Sequence, residues 1–291
     1  MKRRFVYRRF AAAVAFATSG SFFFAGCVSE ERKEIARANV LYNQGAKDPA
    51  KLEESLRLYR RITEKNPGSI EAQLAFGQVL FDLGCYDHAL LRFDAALAAQ
   101  AESPPALVGR GAALMFLKRW DDAATTYRRL LVLDKENLNY ANNLGKAVYF
   151  KGDYGAAETT FNKVLAAKKD DRTARFFLGE IALKKGDTAA AAREFERLNE
   201  LEPGRFFGPY GLAKVALASG KVDEAIDKLR LAFSRGIEDV AGVREDPAMS
   251  KLLDDDRVKK LIAEAANKRG AITNREFRAA PVCEVVLPRA R

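Results

Sequence analysis

Residues Lys151–Leu165 read KGDYGAAETTFNKVL. The composition is that of an amphipathic helix, yet small and large residues fall in a fixed order. Gly152, Tyr154, Ala157 and Phe161 spell G-x-Y-x-x-A-x-x-x-F. One position holds a methyl group, and a ring follows one helical turn later, on the same face. Such an order points to a close approach between two helices, with a ring filling the space beside it.

The order recurs. Gly77, Gly111, Gly145 and Gly179 are evenly spaced, and Ala213 takes the next place. Ala89, Ala123, Ala157, Ala191 and Ala225 keep the same interval. So do the rings Phe93, Tyr127, Phe161 and Phe195, ending in Leu229. Gly84, Gly152, Gly186 and Gly220 form a fourth series, broken by Lys118, and Tyr86, Trp120 and Tyr154 a fifth. A constant interval of this length is the mark of a helical repeat array. The Gly84 series falls where a first helix must stop, in the left-handed conformation that glycine adopts freely.

These five series resemble the tetratricopeptide repeat, a helix–turn–helix with a period of about 34 residues. The resemblance implies an all-α solenoid, a right-handed superhelix of antiparallel helix pairs with capping helices at its C-terminal end. About six repeats are expected over residues 37–236. Residues 237–270 are read as a helical cap over the last apolar face, and 271–291 as a tail. In the repeat family, the first helix of each pair lines a concave groove. The resemblance therefore assigns Asn142, Lys146, Tyr149, Phe176, Glu180, Tyr210 and Lys214 to a groove that binds a protein or peptide partner. Leu74, Val108, Leu183 and Leu217 stand in equivalent positions and are expected to pack against neighbouring helices.

The N-terminus reads differently. MKRRFVYRRF is cationic, and the apolar stretch AAAVAFATSGSFFFAG follows. That stretch is shorter than the roughly 20 residues that cross a bilayer. This is the pattern of a secretory signal, residues 1–26. Phe24-Ala25-Gly26-Cys27 resembles a bacterial lipobox, with Phe24 where leucine is usual. The resemblance implies lipidation of Cys27, a linker over residues 27–36 and attachment to a membrane through acyl chains. Val28 after the cysteine implies the outer membrane rather than the inner, facing the periplasm or the surface. Cys85 and Cys283 are then left to pair or to stand as free thiols.

The net charge of +10 belongs to the ends: +5 lies in the signal segment and +4 in residues 268–291. The body is nearly neutral, so no nucleic-acid partner is expected. His88, the only histidine, is read as a solvated helix residue. Asp254-Asp255-Asp256 lacks the spaced ligands of a calcium loop and is read as a polar helix start. No catalytic, metal or cofactor motif occurs. The expectation is a non-catalytic scaffold in envelope or pilus assembly. The alternative is a small-ligand-binding accessory of a transport system, with Phe81, Met115, Phe116 and Tyr149 lining its pocket.

Overall fold

The computed structural model describes residues 29–237 and 240–273, with side chains up to 266. The signal segment, Cys27, Cys283 and the tail beyond residue 273 lie outside the described residues. Among those described there is helix and no strand. The helices are α1 (Glu30–Gly45), α2 (Pro49–Lys65), α3 (Ile70–Asp82), α4 (Tyr86–Ala99), α5 (Pro104–Phe116), α6 (Trp120–Leu133) and α7 (Leu138–Lys151). They continue as α8 (Tyr154–Ala167), α9 (Arg172–Lys184), α10 (Thr188–Leu201), α11 (Phe207–Ala218), α12 (Val222–Ser234), α13 (Val240–Glu245) and α14 (Asp256–Thr273), with a 3₁₀ helix at Pro247–Leu252 before the last.

Helix starts follow from local chemistry. Ser29, Asp48, Ser69, Asn137, Asp171 and Asp187 each accept a backbone N–H of the first turn that follows. These side chains satisfy donors that have no partner within the helix. Ser29 also corrects the expected linker. Residues 30–36 are the first two turns of α1, because Ser29 caps them and Glu30 and Glu31 favour the positive end of the helix dipole.

The ends of the first helices follow the glycine series. Gly84, Gly152, Gly186 and Gly220 have φ of 77°, 96°, 79° and 75°. In each case the next residue donates its N–H back across the last turn, as Cys85 does to Leu80 O at 2.8 Å. Lys118, where the series breaks, adopts the same geometry with φ 60°, and Arg119 N–H reaches Leu114 O at 2.9 Å. A side chain in this conformation costs roughly 1 kcal/mol or more. Lys118→Gly is therefore expected to stabilise the protein by about 1 kcal/mol, read as a higher urea midpoint. Lys118→Ala should leave the midpoint unchanged.

From α1 to α7 in one unit and from α9 to α12 in the other, consecutive helices pack on one another, and first helices of successive pairs also touch: α1 with α3, α3 with α5, α9 with α11. The chain divides into two compact units, with the boundary between Thr160 and Phe161 inside α8. Each unit is built on the same contact. In the N-terminal unit a Cβ on Gly77 would stand 2.8 Å from the Phe93 ring, and one on Gly109 closer still. Phe93 thus lies between the glycine of its own pair and a glycine of the next. In the C-terminal unit Phe195 lies in the same way between Gly179, at 2.7 Å, and Gly211. A Cβ on Gly111 would meet Tyr127 at 2.8 Å. The alanines of the second helices, from Ala89 to Ala225, are wholly buried. The nearest neighbour of Gly77, Gly111 and Gly179 is therefore the ring four residues beyond the alanine, where helix-on-helix contact of two small residues was expected.

The C-terminal helices cover the end of their unit. Val240, Val243, Met249, Leu252, Val258 and Ile262 form one core with Ala225, Ile226 and Leu229 of α12. Asp255 starts α14: its carboxylate accepts Arg257 N–H at 2.9 Å and is held down to about 2 by the Arg257 guanidinium. Among the described residues no group of His, Cys, Asp or Glu is placed to hold a metal, and no helix is long and apolar enough to cross a membrane.

Candidate functional site

The first helices form a wall in each unit, and the two walls differ. In the N-terminal unit, α1, α3, α5 and α7 present a row of partly exposed side chains. Val108 is 38% exposed, although it was expected to pack against a neighbour. Ala112 and Met115 follow it on α5, half-buried, and Lys146 and Tyr149 on α7 are half-buried as well. Asn142 is buried. Lys146 Nζ donates to Asn143 Oδ1 at 3.4 Å.

At the far end of α1 and α3, Tyr42 donates to the Asp82 carboxylate, which also accepts from Gln78 Nε2 at 2.8 Å. Burial, followed by the Asp82 charge and hydrogen bond, pushes the Tyr42 phenol up to about 12 from its ordinary 10. The folded state therefore holds this proton more tightly than the unfolded chain, and its advantage is lost as the phenol ionises. The urea midpoint should fall as pH rises from about 10 to about 12. In Tyr42→Phe the fall should be shallower.

A rim of rings runs along the turns of this unit. Tyr86 stacks on Phe116 at 4.4 Å and 14°, and Phe81 meets both edge-on. Trp120 stacks on Phe150 at 5.2 Å, and Tyr149 meets Phe150 edge-on and lies 5.4 Å from Tyr154. The first residue of one second helix thus stacks on a ring near the end of the next first helix. Tyr86 and Trp120 were read as a periodic series; their partners Phe116 and Phe150 keep the same interval but were not read with them. Phe81 and Phe116, named above as lining for a small-molecule pocket, pack against each other. His88 is half-buried at the start of α4, its Nε2 shielded and without a hydrogen-bond partner, where a solvated side chain was expected.

In the C-terminal unit the wall is closed on itself. Lys214 of α11 is 8% exposed and Glu180 of α9 is 7% exposed. Lys214 Nζ donates to both Glu180 oxygens, at 2.8 and 2.6 Å, and lies 3.2 Å from Asp246 Oδ2. Tyr210 donates its hydroxyl to the same Asp246 oxygen at 2.8 Å. The other Asp246 oxygen accepts Ala248 N–H at 2.9 Å and caps the 3₁₀ helix. Phe176 meets Phe177, Phe195 and Phe207 edge-on. The four groove residues assigned here are thus engaged within the chain. The reason is the repeat itself: one full period brings Glu180 and Lys214 opposite each other on adjacent first helices, where opposite charges neutralise on burial.

Residues 74–137 and 142–204 match the tetratricopeptide repeat family model. These two stretches are tetratricopeptide repeats. The repeats over these residues coincide with α3–α10, in which the ring–glycine contact recurs. Among solved structures, a tetratricopeptide-repeat protein from Parabacteroides merdae is similar with a TM-score of 0.68 and 18% identity, covering 88% of this chain and 97% of that one. PilW, a type IV pilus biogenesis factor, is similar with a TM-score of 0.56 and 16% identity over 76% of this chain and 99% of that one. A tetratricopeptide-repeat protein from Thermus thermophilus gives 0.52 and 21% over 62% of this chain and 99% of that one. These likenesses are of fold. No curated protein matches the chain by sequence.

Proposed function

We propose that this protein is a non-catalytic scaffold, lipid-anchored through Cys27 at the periplasmic or surface side of a bacterial membrane, the outer membrane. It binds a protein partner along the first-helix wall of its N-terminal unit. The observation that carries the reading is the row Val108, Ala112, Met115, Lys146 and Tyr149. It is partly exposed, while Glu180 and Lys214 in the matching row of the C-terminal unit are buried. A row of apolar side chains with one ammonium and one phenol suits an extended peptide or a partner helix carrying a carboxylate. PilW is a type IV pilus biogenesis factor, and envelope or pilus assembly is the setting proposed here.

Two measurements test this. Pull-down from native membranes should lose a partner with Lys146→Glu plus Tyr149→Ala, and identical partner sets from variant and wild type would remove the wall assignment. Labelled palmitate should enter the wild type and be absent from Cys27→Ser. The anchor has a further consequence, because Cys85 is disulfide-bonded. An acylated Cys27 has no thiol to share, so the anchor requires that Cys27 is not the partner of Cys85. Non-reducing peptide mapping should find Cys85 in a disulfide without Cys27, and a Cys85–Cys27 link would exclude the anchor.

A further inference from the structure

The proposed anchor fixes a direction, and the described residues show which. Only Val28 separates Cys27 from Ser29, the N-cap of α1. Two extended residues span about 7 Å. The first turn of α1 therefore cannot stand far from an acylated Cys27.

That first turn is fastened to the rest of the repeat. Glu31 accepts from Asn66 Nδ2 at 2.7 Å and from the Ser69 hydroxyl. Asn66 ends α2 and Ser69 caps α3. Arg32 Nε donates to Glu71 Oε2 at 2.9 Å, and Arg61 pairs with Glu34 at 2.8 Å. The start of α1 and the α2–α3 turn are one hydrogen-bonded patch. The exposed residues of that turn, Lys65 to Gly68, lie at the same edge as the tether.

We propose that this edge, the first turn of α1 with the α2–α3 turn, rests on the phospholipid headgroups. The inference stands on the lipid-anchor reading and adds an orientation to it. The opposite end of the same helix pair, the α1–α2 turn at Lys47, is then held away from the bilayer by the 16 residues of α1, about 24 Å at 1.5 Å per residue. An acyl chain on a long mobile linker would give no such direction.

The test uses the acylated full chain on phosphatidylethanolamine–phosphatidylglycerol vesicles that carry a nitroxide on some headgroups. A fluorophore is attached at Gly68→Cys or at Lys47→Cys. Both positions are exposed, and a side chain at 68 meets nothing closer than Asn66 Oδ1 at 3.9 Å. Background label is subtracted with protein lacking the added cysteine. Quenching at 68 is expected to exceed that at 47 several-fold. A long glycine–serine linker inserted after Val28 should level the two. Equal or reversed quenching on bound protein would overturn the orientation and leave the anchor standing. A bias that survives the long linker would also overturn it, since the short tether would not be the cause. Acylated protein that fails to float with the vesicles would overturn the anchor and the orientation together.

Discussion

Lys214→Met is expected to destabilise the C-terminal repeats by about 3–5 kcal/mol, the loss that follows when one partner is taken from a buried ion pair. Lys214 Nζ stands between Glu180, at 2.6 Å, and Asp246, at 3.2 Å. Without it, two carboxylates face each other in a largely buried site. Asp246 keeps the Tyr210 hydroxyl, but Glu180 keeps no cation. The double variant Lys214→Met with Glu180→Met should recover much of the loss, because well-packed apolar side chains of similar volume serve a buried pair's place at little cost. Urea unfolding of the four proteins forms the cycle. A single variant as stable as wild type would show that the pair is hydrated.

Phe195→Ala is expected to cost about 3–5 kcal/mol, as a buried ring truncated to a methyl does. The ring is wholly buried and fills the space between Gly179 and Gly211. The reciprocal change makes the claim specific. Gly211→Ala places a Cβ into the Phe195 ring, and overpacking of this kind costs about 1–3 kcal/mol. In a Phe195→Leu background that cost should shrink, because the flat face against the backbone is gone. Additive losses would mean that ring and glycine do not share a contact.

The repeat was legible because each contact returns at one constant interval, so Gly77, Gly111 and Gly179 and the rings behind them carry one signal several times. The contact between successive pairs was not legible, although it is as regular. Three of the rings meet the equivalent position of the next first helix, which is Gly109 for Phe93, Phe177 for Phe161 and Gly211 for Phe195. Glycine there lets the ring lie on the backbone, and Phe177 stacks on Phe161 instead, at 5.2 Å and 8°. Two unlike residues meet the same need, so no single residue type recurs.

The candidate wall was legible by position and not by state. The repeat spacing places Glu180 and Lys214 side by side, and their opposite charge is a sequence signal for mutual pairing. Asp246, the third member, lies in the cap beyond the repeat, where no period points to it. The start of α1 had a signal as well: Ser29 before two glutamates is a helix start, though no ring or glycine marks the repeat there.

The most direct test of the account places a photo-cross-linking side chain at Met115 on the wall, and separately at Val132, which is 75% exposed on the second helix α6. Irradiation of native membranes should give a discrete adduct from residue 115, lost when Lys146→Glu is added, and none from residue 132. An adduct from residue 132 alone, or one from residue 115 that survives Lys146→Glu, would contradict it.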